Sequence, residues 1–224
     1  MTAVRTRVLN LPRKAVGTVA SKVRNRVDPL IFPDSDGADD QWQRVVMNRE
    51  IKAHLRSLGP RDLDAAEISG DAQKKFSWKS FTSLNYPEFD LCAPITAEER
   101  FDVVICEQVL EHVIDPFLAV DHLFELTRPG GHLVVSTPFL IKQHELPLFA
   151  MFDYWRFTPR GLKLMLERSG FEVDHVTSWG NRLGVIGNLD RWSAYRRWLP
   201  LQNRRDLAVV VWAYAHRPLE SSDG

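Results

Sequence analysis

Apolar positions along this chain switch between two periods. "FDVVIC" (101–106) and "HLVVSTPF" (132–139) are nearly continuous apolar runs, the pattern of strands buried on both faces. "LDAAEIS" (63–69), "WKSFTSLNY" (78–86) and "FEVDHVTSWG" (171–180) read as further strands, and "RDLAVVVWAYAHR" (205–217) as the last. Helical spacing fills the intervals. "DDQWQRVVMNREIKAHLRSLG" (39–59) carries Trp42, Val45, Val46 and Ile51 on one side, with Asp39 or Asp40 as N-cap and Gly59 past the end. "DPFLAVDHLFELTRPGG" (115–131) opens with Asp115 as cap and Pro116 in its first turn, and the Gly130–Gly131 pair predicts its end. "TPRGLKLMLERSG" (158–170) repeats that punctuation with Thr158, Pro159 and Gly170. "NRLGVIGNLDRWSAYRRWLPLQNRR" (181–205) reads as a helix with an aromatic packing face and a solvated basic face, with an RNA- or phosphate-binding surface as the alternative. Alternating strands and helices predict an α/β protein, with a mostly parallel sheet covered on both faces. The final apolar run suits an antiparallel insertion at a sheet edge.

Composition adds limits. At 224 residues, 44% hydrophobic and 26% charged, the chain is an ordinary globular sequence with room for one full core. A formal net charge of zero gives no whole-molecule case for a nucleic-acid partner. The charge is uneven, however. No acid precedes Asp28, whereas Arg5, Arg7, Arg13, Lys14, Lys22, Arg24 and Arg26 do. This predicts a basic, helical N-terminal extension and linker over 1–37, ahead of a folded domain over 38–217 and a disordered tail over 218–224. The extension reads as a frayed or partner-packed helix, or as a peripheral contact with an anionic membrane. No run approaches the ~18 apolar residues of a membrane span. Cys92 and Cys106 lack metal-ligand spacing and fit reduced thiols of a cytoplasmic protein.

Residues 101–138 also carry a family resemblance. An apolar strand opened by Phe-Asp, the "LEH" step, the "DP" helix start and "RPGG" before the next strand resemble the second half of class I S-adenosylmethionine-dependent methyltransferases. "DYWRFTPRGLKLMLERSGFEV" (153–173) is similar to a bacterial subgroup associated with glycan and cell-envelope chemistry. The resemblance implies a doubly wound, mostly parallel, seven-stranded Rossmann-like sheet whose last strand is antiparallel. It implies S-adenosyl-L-methionine over the carboxyl ends of the first strands, and methyl transfer to a hydroxyl of a glycan or small molecule. The short stretch between Asn85 and Phe101 predicts a sheet reduced between strands two and four.

On this chain the resemblance assigns donor binding to Glu67, Ser69 and Gly70 in "EISGDA", with Ser69 where a first glycine is expected. Asn85 stands where an acid usually meets the ribose, Asp90 on the adenine side, and Glu107 and Gln108 on the methionine side. Each has a structural alternative. Glu67 can end a strand in solvent, Gly70 and Asn85 are turn residues, Asp90 is a cap, and Glu107 and Gln108 can start a helix on which Glu111 shares the face of Glu107. An alcohol acceptor needs a base, and His112, His144 and Asp153 are the candidates; His112 equally suits a packed histidine. Tyr154, Trp155 and Arg156 suit substrate binding, with aromatic faces for a sugar and a cation for an acid or phosphate. They also suit packing beneath the helix that starts at Thr158. No cluster has the spacing of a structural zinc site, so no metal is expected. The departures at Ser69 and Asn85 leave a second class open, a methyltransferase-like binding or scaffold protein without catalysis.

Overall fold

The computed structural model describes residues 29–38, 40–95, 100–145, 147 and 151–219. The basic segment before Asp28, and the tail from Glu220 on, lie outside the described residues. Six strands form one sheet among the described residues: β1 (Asp64–Ile68), β2 (Ser80–Leu84), β3 (Phe101–Glu107), β4 (Thr127–Pro138), β5 (Glu172–Trp179) and β6 (Val210–His216). Accompanying them among the described residues are the helices α1 (Arg44–Ser57), α2 (Pro116–Leu126), α3 (Pro159–Arg168) and α4 (Arg182–Gly187), and residues 29–31 are also helical. The strand order is β2-β1-β3-β4-β6-β5, with β2, β1, β3 and β4 parallel and β6 antiparallel to both neighbours.

Strand alternation builds two cores from one sheet. Ala66, Ile68, Val104, Cys106, Leu133 and Val135 face one side, against Ala119, Val120 and Leu123 of α2 and Leu162 and Leu166 of α3. Ala65, Val103, Ile105 and Val134 face the other, against Val46, Met47, Ile51 and Leu55 of α1 and the buried Trp42, Trp179 and Trp212. The caps of α2 and α3 follow the sequence. Asp115 accepts from the N–H groups of Phe117 and Leu118, and Thr158 accepts from that of Gly161.

Several expectations change. Six strands are described where the resemblance implies seven; the stretch from Asn85 to Arg100 holds turns and bends in its described part and is short for an added strand with its own crossover. The final strand is antiparallel but not at the edge. Val210–Ala215 is buried throughout, so β6 inserts between β4 and β5. Helix α2 stops at Leu126, and the glycine pair serves the sheet instead. A Cβ on Gly131 would stand 2.9 Å from the Arg128 carbonyl and 3.0 Å from that of Asp102, beside the irregular register of β3 and β4. Helix α1 begins at Arg44 without a side-chain cap, because Trp42 N–H donates to Ser193 C=O at 2.8 Å and Gln41 bridges Ala194. Those same bridges hold 193–194 extended, so only 182–187 of the expected C-terminal helix is helical. Part of the expected linker also packs on the body, where Phe32 stacks against Trp42 at 6.2 Å.

At the amino end of the strands the polar groups close on one another. Asp64 accepts from Ser80 at 2.8 Å, Arg128 at 2.9 Å and Lys79 at 3.2 Å. Arg128 also lies 2.8 Å from Asp102, whose carboxylate accepts from the Asp64 N–H at 2.8 Å. The Ser80, Arg128 and Lys79 hydrogen bonds hold the Asp64 carboxyl down at about 2. Among the described residues, no helix is long and apolar enough to cross a membrane.

Candidate active site

Chain order reverses between β1 and β3, and open α/β sheets bind ligands at the carboxyl ends of strands at such a point. Both strands run into a non-glycine residue in left-handed backbone there: Ser69 (φ 54°) and Gln108 (φ 57°). An L-residue adopts that conformation at a cost of roughly 1–2 kcal/mol. Hydrogen bonds pin both: Ser69 N–H donates to Leu84 C=O at 2.8 Å, and Gln108 donates from its backbone to Ser136 C=O at 2.8 Å and from its amide to Ser136 Oγ at 3.1 Å. A cavity of about 330 Å³ opens here. Its walls are Ile68 and Ser69 at the end of β1, Tyr86 and Phe89–Cys92 after β2, Gln108, Val109 and His112–Ile114 after β3, and Met151, Phe152 and Tyr154 before α3.

The acids nearest the switch point do not line that cavity. By strand alternation Glu67 and Glu107 point to the α1 side, and Gln73 ties them together. Glu67 accepts from the N–H groups of Ala72 at 3.2 Å and Gln73 at 2.8 Å, while Glu107 accepts from the Gln73 side chain at 2.6 Å. Burial pushes both carboxyls up, and for Glu67 the charge of Glu107 adds to it. Gly70 makes room for this brace, since a Cβ there would stand 2.8 Å from Glu67 Oε1. Asn85 is exposed at the end of β2, its carbonyl accepting from Phe89 N–H at 2.8 Å, and is not a cavity residue. Asp90 is a cavity residue, with one oxygen accepting from Cys92 N–H at 2.8 Å.

Residues 108–112 form a bend and turn, so Glu107 and Glu111 do not share a helix face. Glu111 turns into the protein instead. Its side chain is fully buried, neither carboxylate oxygen has a hydrogen-bond partner, and burial pushes its carboxyl up to about 8. His112 lines the cavity; its Nδ1 is 2.7 Å from Phe152 C=O and its Nε2 is 3.7 Å from Glu111. The His144 ring meets that of His112 edge-on at 4.9 Å. Burial lowers the pKa of both imidazoles. Asp153 receives the His144 N–H at 2.9 Å and is clamped by the Arg156 guanidinium. Burial opposes its ionisation, but those bonds prevail and hold its carboxyl below the usual range. Arg156 is thus engaged internally, reaching also the carbonyls of Lys142 and Trp155. Trp155 donates to Val113 C=O at 2.9 Å, and Tyr154 stands half-exposed at the cavity mouth.

Comparison with known proteins places this geometry. Residues 22–176 match the family model described as "Methyltransferase domain". The chain belongs to the class I S-adenosylmethionine-dependent methyltransferases. The ubiquinone biosynthesis O-methyltransferase of Sinorhizobium fredii is 28% identical over 173 residues, covering 70% of this chain and 63% of that protein. The chain therefore spans less than two thirds of that curated relative's length. The 1,6-didemethyltoxoflavin-N1-methyltransferase of Burkholderia thailandensis, solved with 1,6-didemethyltoxoflavin and S-adenosylhomocysteine, aligns with a TM-score of 0.53 at 14% identity, covering 96% of this chain and 93% of that one. The [4+2]-cyclase SpnF aligns at 0.51 with 12% identity, over 91% and 95%. These likenesses show the fold, and the cyclase among them means that the fold alone does not name the reaction.

The methyltransferase family uses S-adenosylmethionine, and the cavity can be tested against it. Its volume lies at the small end of the ligand-pocket range of about 300–1,000 Å³. Phe89, Leu91 and Val109 offer apolar faces for a planar base, and Asp90 and Gln108 offer polar groups for hydroxyl and amino donors. Ser69, at the place of the family's first glycine, still adopts a glycine conformation, so the loop keeps its course. These residues fit the cofactor. Gln73 escapes a sequence reading because it sits in a polar turn, and Glu111, expected on a helix face with Glu107, is set apart by its burial. Trp192, expected on a packing helix, instead meets His144 edge-on at 5.2 Å and carries Lys142 over its ring at 5.1 Å.

Proposed function

We propose that this methyltransferase-family chain transfers a methyl group from S-adenosylmethionine to a hydroxyl of a small molecule with an apolar or aromatic body. The cavity at the switch point carries this reading, since His112 and a fitting donor wall line the same space. The cofactor supplies a methyl group activated on a sulfonium. The chain's task is to align the acceptor oxygen in line with that methyl and keep water away. Asp90 and Gln108 hold the donor, with Ser69 and Ile68 shaping the loop beneath it. Glu67, Gly70 and Glu107 act one step back, by bracing that loop. The exposed apolar groups Tyr86, Ile114, Phe152 and Tyr154 at the mouth favour an apolar or aromatic acceptor over a bare sugar. The O-methyltransferase name of the Sinorhizobium fredii relative supports oxygen as the acceptor atom. The acceptor's proton leaves at the His112–His144 end, because Arg156 already engages Asp153.

A binding or scaffold role without catalysis is favoured by one observation, the exposed Asn85 in place of a ribose acid. An assay for S-adenosylhomocysteine release separates the readings. We expect turnover with a panel of catechols, phenols and hydroxylated prenyl compounds, and little with free hexoses. No product with any acceptor, from protein that binds the donor, would favour the scaffold; turnover confined to hexoses would refute the acceptor assignment.

A further inference from the structure

We propose that Glu111, His112 and His144 hold a divalent transition-metal ion of the zinc type, which binds the acceptor oxygen beside the methyl-transfer cavity. The role given to the ion rests on the methyl-transfer reading; the site itself rests on geometry. One ligand-capable atom from each of the three residues lies within 4.8 Å of the others. Ligands about 2.0–2.2 Å from a tetrahedral ion stand roughly 3.3–3.6 Å apart. Glu111 Oε1 and His112 Nε2, at 3.7 Å, are close to that spacing and too far apart for a hydrogen bond with each other.

The second observation is the state of Glu111. Its side chain is completely buried, and neither carboxylate oxygen has a hydrogen-bond partner in another residue. A buried carboxyl group is rarely left so, unless something absent from the protein itself completes it. The surroundings are those of a ligand set. The Phe152 carbonyl, 2.7 Å from His112 Nδ1, accepts a hydrogen bond from that nitrogen, which leaves the lone pair on Nε2, 3.7 Å from Glu111 Oε1. Asp153 Oδ2 lies 3.1 Å from His144 Nδ1 without a hydrogen bond between them, so that buried ring nitrogen, like Glu111, has no hydrogen-bond partner.

The donor set selects the ion and says what joins it. Two imidazoles and one carboxylate suit zinc and similar transition ions, not magnesium or calcium, which favour oxygen shells. Asp153 is already answered by Arg156, so Glu111 contributes the only uncompensated negative charge among the three ligands. A dication here keeps a net positive charge and an open position. That position favours an anionic oxygen, so an acceptor hydroxyl bound there gives up its proton to solvent more readily. The oxygen–methyl bond then forms as the methyl–sulfur bond breaks, leaving a methyl ether and S-adenosylhomocysteine.

The test is calorimetric titration of zinc chloride into chelator-stripped full-length protein, with S-adenosylhomocysteine titrated in a separate run. We expect one saturable zinc site per chain, with affinity at least about tenfold weaker in Glu111→Gln and in His144→Ala. Metal-free Glu111→Gln should melt no lower than metal-free wild type, which keeps the loss of zinc distinct from a loss of folding. Absence of a zinc site, or a site equally strong in both variants, overturns the proposal. Binding of S-adenosylhomocysteine without zinc would leave the methyltransferase reading standing alone. Zinc binding without S-adenosylhomocysteine would uphold the site and remove its role in methyl transfer.

Discussion

The amino and carboxyl ends of the sheet use similar residue types in opposite ways. At the amino end Asp64, Asp102, Lys79, Ser80 and Arg128 bind one another across four strands and their flanks. At the carboxyl end Glu111 is buried with no partner, and Ser69 and Gln108 hold left-handed backbone. The first arrangement closes the molecule. The second leaves polar capacity and strain unspent, beside a cavity, where a ligand can use them. Glu67 and Glu107 lie at the same end as the cavity, but their carboxylates accept hydrogen bonds as the acids of the amino end do. The division is therefore not one of sheet ends alone: Glu111 is buried beside the cavity residue His112, whereas Glu67 and Glu107 are held by the turn that carries Gln73.

Four changes probe this contrast. The largest effect is expected at Glu111→Met, which removes the unpartnered carboxyl group. Methyl transfer should fall at least about a hundredfold, while the metal-free protein gains about 1–3 kcal/mol. Kinetics and urea unfolding check both halves; a destabilised variant would show that Glu111 has a structural partner after all. Gln73→Leu strips Glu107 of its donor and should cost about 1–3 kcal/mol, because a satisfied pair becomes an unsatisfied one. An unfolding midpoint equal to wild type would contradict the brace. Ser69→Gly should stabilise by about 1 kcal/mol or less, the left-handed strain relieved being partly offset by glycine's backbone entropy. Loss of stability there would mean that the serine hydroxyl outweighs the strain.

The smallest effect concerns acid and the amino end. The folded carboxyl of Asp64 lies at about 2 against an unstrained 3.8, so between those values the unfolded chain binds more protons. Stability from this group is full above pH ~4 and fades as pH falls towards 2. Asp64→Asn should flatten that part of a stability–pH curve, measured by thermal melts. An unaltered slope would place the acid sensitivity elsewhere. Exposure and screening keep this contribution modest.

Much of the fold is legible in the sequence because strands, caps and glycines act locally. Asp115 and Thr158 cap the helices that their positions announce, and "FDVVIC" forms the buried strand beside the switch point. What escapes depends on distant partners. The start of α1 is set by pairing with Ser193 and Ala194, and the glycine pair by the approach of the Asp102 carbonyl. Of the site residues, Ser69, Asp90, Gln108, His112 and Tyr154 meet at the cavity. Glu67, Gly70 and Glu107 brace the loop behind it, Asn85 faces solvent, and Arg156 with Asp153 forms an internal pair. The Glu111–His112–His144 cluster joins one turn to a loop after β4, which no local spacing reveals.

The most direct measurement of the contrast is calorimetric titration of S-adenosylhomocysteine into the full-length protein, repeated with Gln108→Ala and Arg128→Lys. We expect one saturable site, weakened at least about fivefold by the change at the cavity wall, where a hydrogen bond is worth about 1 kcal/mol, and unmoved by the change at the amino end. No binding, or a loss at Arg128 as large as that at Gln108, would contradict a donor site at the carboxyl ends of β1 and β3.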